Sequence, residues 1–124
     1  MASTPAAAGT AVGVVASSRQ VDTLIFDIDD TLYPVDCGFT AHRNGAVVHS
    51  FMMETLGFET LEAAKAVRDK YFGMYHSTVK GLTKAAEEGE LPGGAGATFQ
   101  KELLGDYFAK HCDFARCVSM PGWL

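Results

Sequence analysis

The sequence has few cysteines, few basic residues and no apolar run long enough to cross a membrane. Its 124 residues include three cysteines, an odd number without a secretory signal, which argues against a disulfide-stabilised secreted domain. The net charge of −5 gives no long-range attraction for nucleic acid or an anionic membrane. The apolar stretch at residues 11–16 is shorter than the roughly 20 residues that span a bilayer. These absences favour a cytoplasmic protein with no nucleic-acid or membrane partner.

The hydrophobic content of 48% is enough for one modest folded domain. Residues 1–20 differ from the rest, because they are rich in Ala, Ser, Thr and Gly and contain no acidic residue. This composition predicts a flexible amino-terminal arm. A transit peptide that directs the protein to an organelle is the alternative, although Arg19 is the only basic residue in the arm.

Hydrophobic spacing predicts one strand followed by helices. Residues 21–28 are apolar on both faces, as in a buried parallel strand. Residues 39–58 and a second stretch from Thr60 have helical spacing and look like an antiparallel pair, residues 87–97 form a loop, and a third helix covers residues 98–111 with Thr98 as its N-cap. The predicted buried positions on these helices are Val48, Phe51, Met52, Met53, Leu56, Leu61, Ala64, Val67, Tyr71, Met74, Phe99, Leu103, Leu104, Tyr107 and Phe108.

Two carboxylates follow the predicted strand and suggest phosphoryl-transfer chemistry. Asp27 would lie at the carboxyl end of the strand, where open α/β sheets bind their ligands. Asp29 lies two residues later, where it can act as a proton carrier once the backbone turns. An anionic nucleophile needs a cation such as Mg²⁺ to approach a phosphate, and Mg²⁺ prefers hard oxygen ligands. The simpler alternative is a solvated turn or helix cap, with Asp30 as a surface or capping residue.

Other metal and phosphate motifs fit less well. A calcium loop that began at Asp27 would place Leu32 where glycine is required and Gly38 where a bidentate glutamate is required. The glycines of residues 89–96 lack the Gly-Lys-Ser/Thr ending of a P-loop. The carboxy-terminal cluster lacks the paired Cys-x-x-Cys spacing of a structural zinc site; its members are His111, Cys112, Asp113 and Cys117.

The segment FDIDDTLYP, residues 26–34, resembles the first motif of the haloacid dehalogenase superfamily. Its DDTLYP portion and the later LGF at residues 56–58 are similar to the pyrimidine 5′-nucleotidase branch. The resemblance implies an α/β fold, with a Rossmann-like core and a helical cap insertion. It also implies that Asp27 is the nucleophile and a Mg²⁺ ligand, and that Asp29 is the general acid/base and binds Mg²⁺ through its backbone carbonyl.

The same resemblance divides the chain into four parts. Residues 1–20 are the arm, residues 21–36 the first core strand and catalytic loop, residues 37–121 the helical cap, and residues 122–124 the start of the remaining core. Only the first core strand is included, so the chain is expected to be mostly helical. Family members also use a later Ser or Thr, a Lys and a second acidic motif, and we therefore expect the chain to be the amino-terminal part of an enzyme.

The expected activity is Mg²⁺-dependent hydrolysis of a small phosphomonoester, such as a nucleoside monophosphate, through an aspartyl-phosphate intermediate. The candidate substrate-binding residues are Thr31, His42 and Arg43, although His42 and Arg43 also fit an ordinary helix surface. The alternative, from a different functional class, is a truncated, non-catalytic helical module that binds or regulates another protein.

Overall fold

The computed structural model describes residues 19–118, and this part of the chain is mostly helical, as predicted. Its helices are α1 (Phe39–His42), α2 (Val48–Glu54), α3 (Leu61–Tyr75), α4 (Thr78–Glu87) and α5 (Lys101–His111). A π-helical turn at Arg43–Val47 joins α1 to α2, and short 3-10 turns occur at Val35–Cys37, Gly94–Gly96 and Phe114–Cys117. The predictions for residues 1–18 and 119–124 lie outside the described residues.

The predicted strand at residues 21–28 is not formed. This segment has no regular secondary structure, and its apolar side chains are exposed, with Ile25 at 93% and Leu24 at 71%. A strand needs a neighbouring strand to pair its backbone groups, and residues 19–118 contain none. The α/β core is therefore not shown by the described structure.

The first predicted helix, residues 39–58, is shorter and less regular than its spacing suggested. It continues from α1 through the π-helical turn into α2 and ends at Glu54. Gly57 has a positive φ of 86°, a conformation that glycine adopts without steric cost, but the helix has already ended three residues earlier, with Thr55 as its C-cap. Asn44 and Gly45 have low helix propensity and lie within the π-helical turn, where the regular α-helix is interrupted.

Helices α3 and α4 begin with hydrogen-bonded caps. The Thr60 hydroxyl accepts a hydrogen bond from the Ala63 N–H at 3.2 Å, and the Ser77 hydroxyl accepts one from the Lys80 N–H at 3.3 Å. Helix α4 was not predicted: it has only ten residues, Gly81 within it has low helix propensity, and most of its buried residues are small. These buried residues are Gly81, Leu82, Ala85 and Ala86.

The predicted loop and third helix are present with shifted boundaries. The segment between α4 and α5 is irregular apart from the turn at Gly94–Gly96. Helix α5 begins at Lys101, and its N-cap is Gln100 rather than Thr98.

Two clusters of buried side chains hold the described helices together. The larger joins α2, α3, α4 and α5 through Val48, Phe51, Met52, Ala64, Tyr71, Leu82, Ala85 and Leu104. The smaller contains Tyr33, Phe39, Val47 and Cys112 and lies under the acidic motif, to which Tyr33 belongs. Predicted burial was wrong for four positions: Met53, Leu61, Met74 and Leu103, which are 36%, 43%, 52% and 45% exposed. Within residues 19–118, no helix is long and apolar enough to cross a membrane.

Substitution of Gly81 tests the close contact of α3 and α4. A Cβ atom at this position would lie 3.1 Å from Tyr71 Cβ and 3.3 Å from the Tyr71 carbonyl carbon, closer than ordinary packing allows. We expect Gly81→Ala to lower the free energy of unfolding by about 1–3 kcal/mol, measured by urea denaturation.

The matched control is Gly105→Ala in α5. No neighbouring atom lies within 4 Å of a Cβ at Gly105, so alanine should stabilise this helix by about 0.5–1 kcal/mol. Equal effects of the two substitutions would contradict a specific contact at Gly81.

Candidate functional site

The acidic motif forms a compact turn directly after the extended residues 21–28. The backbone N–H groups of Thr31 and Leu32 both donate to the Ile28 carbonyl, at 3.2 Å and 2.9 Å. The Thr31 hydroxyl donates to Asp27 Oδ2 at 2.8 Å, across the same turn. The chain therefore turns after Asp27, which is the turn that the predicted chemistry of the two carboxylates would need.

Asp29 connects this turn to the helical body. Arg43 Nη1 lies 2.5 Å from Asp29 Oδ2, and the Tyr33 hydroxyl donates to Asp29 Oδ1. A further link joins Thr40, whose hydroxyl donates to Asp30 Oδ1 at 2.9 Å. Both oxygens of Asp29 therefore have partners, one from the motif itself and one from the π-helical turn.

These contacts determine the protonation of Asp29 and Tyr33. The Tyr33 hydrogen bond is the largest influence on the Asp29 carboxyl; together with the hydrogen bond and charge of Arg43 it outweighs partial burial and lowers the pKa. Burial, followed by the hydrogen bond to Asp29 and its negative charge, raises the pKa of Tyr33 to about 12. At neutral pH, Asp29 is therefore an anion and Tyr33 keeps its proton.

A cavity of about 400 Å³ lies beside Asp29 and Arg43. Its walls are mostly apolar, and Asp29 and Arg43 are the charged residues that line it. The remaining lining residues are Ile28, Tyr33, Phe39, Phe108, Cys112, Phe114 and Cys117. An apolar cavity with a few polar groups is typical of a small-molecule site.

The predicted site residues are divided among different surroundings. Asp29 and Arg43 line the cavity, whereas Asp27 and Thr31 lie on the exposed turn beside it. His42 Nε2 accepts a hydrogen bond from the Asp113 backbone N–H at 3.0 Å and faces a separate surface cavity. His42 is therefore a structural link between α1 and the segment after α5 in this arrangement.

Tyr33 was not predicted as a site residue, although it lies four positions after Asp29. In a helix-like turn this spacing brings two side chains together, and the hydrogen bond from Leu32 to Ile28 shows such a turn. The spacing was the available signal, but the sequence alone does not show that the chain after Asp27 turns in this way. Phe108 and Phe114, which form aromatic walls of the cavity, are far from the acidic motif in the sequence. Nothing in the sequence around them indicates that they reach this site.

The described carboxylates do not fit a complete Mg²⁺ site in this arrangement. The side-chain oxygens of Asp29 are occupied by Tyr33 and Arg43, so this residue could contribute to such a site only through its backbone carbonyl, the role that the resemblance implies. Within residues 19–118, no group of three or more His, Cys, Asp or Glu side chains could hold a metal ion.

Comparison of the chain with protein-family models, curated proteins and solved structures finds no match. The resemblance of residues 26–34 to a phosphatase motif therefore stays a prediction from sequence.

Two substitutions test the contacts that control Asp29. Tyr33→Phe removes the hydrogen bond that lowers the pKa of Asp29 most, and Arg43→Gln removes the positive charge. Both should raise this pKa, which carbon-detected NMR titration of the carboxyl measures directly. Lys84→Gln is the control because it removes a distant ion pair with Glu87 on α4. An unchanged pKa in both test variants would contradict the geometry.

Asp29 should also make stability depend on pH. Its pKa is lower in the folded protein, so its contribution is present above its unfolded-state pKa, which is near 3.9, and is lost as pH falls through the folded-state value. Asp29→Asn should cost about 0.5–1 kcal/mol at pH 7, since the side chain is partly exposed. In thermal melts the difference from wild type should decrease below pH 4, and a constant difference would contradict the assignment.

Proposed function

We propose that this chain takes part in the hydrolysis of a small phosphomonoester, with Asp27 as the nucleophile and Asp29 as the proton carrier. The observation that carries the proposal is the placement of Asp29 and Arg43 on one cavity beside the Asp27 turn. An acid and a cation at the same cavity are what a phosphate ester and its leaving group require.

The proposed chemistry has two steps. The Asp27 carboxylate attacks phosphorus to form an aspartyl-phosphate, and the leaving alkoxide takes a proton from Asp29. In the second step Asp29 accepts a proton from water, which attacks phosphorus of the acyl-phosphate; the bond to Asp27 breaks, inorganic phosphate is released and the Asp27 carboxylate is regenerated.

The pair between Asp29 and Arg43 affects both steps. The lowered pKa keeps Asp29 deprotonated and so available as a base, but it leaves little of the acid form that must donate a proton in the first step. A substrate phosphate that took Arg43 as its partner would withdraw the positive charge from Asp29, and the pKa of the acid would rise. Substrate binding would in this way prepare the proton donor.

The cavity supports a small substrate with an apolar or aromatic part. Its volume of about 400 Å³ is within the range of small-molecule sites, and three phenylalanines line it, Phe39, Phe108 and Phe114. A nucleoside monophosphate has both the phosphate and the planar base that these groups would contact. The proposal that hydrolysis depends on Mg²⁺ rests on the motif resemblance alone.

The exposed segment at residues 21–28 supports a second proposal, that the chain is a non-catalytic interaction module. Its apolar side chains have no partner strand within residues 19–118, and Phe26 and Ile28 are 68% and 60% exposed. An extended apolar segment of this kind can add to the sheet of another protein.

A hydrolysis assay separates the two proposals. The purified chain is incubated with a panel of phosphomonoesters that includes nucleoside monophosphates, with and without Mg²⁺, and phosphate release is measured. Asp27→Asn should reduce turnover by more than about 10³-fold because the nucleophile is lost. Asp106→Asn, which changes an exposed acid on α5 away from the motif, should leave turnover unchanged.

The outcomes are distinct. Turnover that persists in Asp27→Asn would contradict the covalent mechanism. A wild-type chain that releases no phosphate from any ester, while it melts cooperatively, would contradict catalysis by this chain and favour the interaction module.

A further inference from the structure

The three cysteines lie around the smaller buried cluster, although they are far apart in the sequence. Cys37 ends the 3-10 turn that follows the acidic motif, and Cys117 ends the 3-10 turn at Phe114–Cys117. Both are partly buried and pack against the cluster, whereas Cys112 is a buried member of it. All three are free thiols in this structure.

The segments that carry Cys37 and Cys117 both pack against the smaller cluster. The Cys37 side chain also contributes to the raised pKa of the Cys117 thiol, after burial, which is the largest cause. The two turns are also close beside these residues, because a Cβ atom at Gly38 would lie 3.4 Å from Arg116 Nη1. The turns at Val35–Cys37 and Phe114–Cys117 therefore lie side by side.

Aromatic packing holds these two turns together. The rings of Phe39 and Phe114 have centroids 5.4 Å apart, and Phe39 also contacts Tyr33 at 5.5 Å. Each ring is within a few residues of one of the two cysteines. Because both segments are packed against the same buried residues, Cys37 and Cys117 are held on neighbouring segments before any reaction.

We propose that Cys37 and Cys117 form a reversible disulfide when the protein meets a peroxide. One thiol is oxidised to a sulfenic acid as hydrogen peroxide is reduced, with release of one water molecule. The second sulfur then attacks the sulfenic sulfur and releases a second water molecule. Two thiols and one peroxide thus give one disulfide and two waters, and an added dithiol reverses the reaction.

The disulfide would act on the candidate site because Cys117 lines the cavity that contains Asp29 and Arg43. Its partner, Cys37, lies shortly after the acidic motif in the chain. Oxidation would therefore join two segments beside the cavity by a covalent bond and limit how far the cavity can open. The proposed regulation is independent of whether the bound molecule is a phosphomonoester.

Cys112 provides an internal comparison. It lines the same cavity, but it is only 9% exposed and burial raises the pKa of its thiol. Burial also raises the pKa of the Cys117 thiol, which slows its own reaction with peroxide at neutral pH. In the proposed disulfide, Cys37 is its partner.

Trypsin separates the three cysteines, which makes the pairing directly measurable. Cleavage after the basic residues places Cys37 in the peptide of residues 20–43, Cys112 in residues 111–116 and Cys117 in residues 117–124. The reduced full chain is treated with one equivalent of hydrogen peroxide, the remaining thiols are blocked with iodoacetamide, and the digest is analysed by mass spectrometry.

We expect the intact chain to lose about 2 Da on oxidation, labelling to fall from three thiols to one, and residues 20–43 to be linked to residues 117–124. Dithiothreitol should restore all three thiols. Cys112→Ser should form the same link, and Cys37→Ser should form none.

Several outcomes would overturn the proposal. They are a link from Cys112 to either other cysteine, a disulfide between two chains on a non-reducing gel, and oxidation of single thiols without a link. The peptide map of the wild-type chain decides among them even if a serine variant fails to fold.

Discussion

The burial of α2 is the constraint on which the rest of the described structure depends. Val48, Phe51 and Met52 have no exposed surface, and α2 contacts both α3 and α5. The chain runs without a break from Arg43 into α2, so packing in the larger cluster also sets the position of the guanidinium beside Asp29. A charged group held by a packed helix loses less conformational freedom on pairing than one on a mobile loop. The electrostatics of the candidate site therefore follow from the apolar core.

The two carboxylates of the motif are consequently not equivalent. Asp29 is attached to the helical body by Arg43 and Tyr33, whereas Asp27 has Thr31, a residue of its own turn, as its hydrogen-bond partner. The first has a fixed environment and a lowered pKa, and the second remains exposed. This difference matches the separate tasks that the proposed chemistry gives them, because a nucleophile must reach the substrate while a proton carrier must have a controlled pKa.

The sequence predicted those features that depend on local spacing and missed those that depend on distant contacts. Helical periodicity located α3 and the buried face of α2, since both repeat large apolar residues. The periodicity missed α4. In this helix Gly81 allows close contact with Tyr71, and a contact between distant residues cannot be read from the hydrophobic pattern. The apolar run at residues 21–28 predicted a strand because the pattern carries no information about whether a partner strand is present. In the site, Arg43 reaches Asp29 while the adjacent His42 contacts Asp113, since neighbouring helical residues point about 100° apart.

The π-helical turn at Arg43–Val47 separates two packing units that share one helix. A π turn contains about one more residue than an α turn, so the helix faces before and after it are out of phase by roughly 100°. Phe39 can therefore face the smaller cluster while Phe51 and Met52 face the larger one. The π-helical turn therefore sets the rotation of α1 relative to α2. Insertion or deletion of one residue in this turn would rotate Arg43 relative to α2, so the side chain that meets Asp29 depends on the length of this turn as well as on the packing of α2.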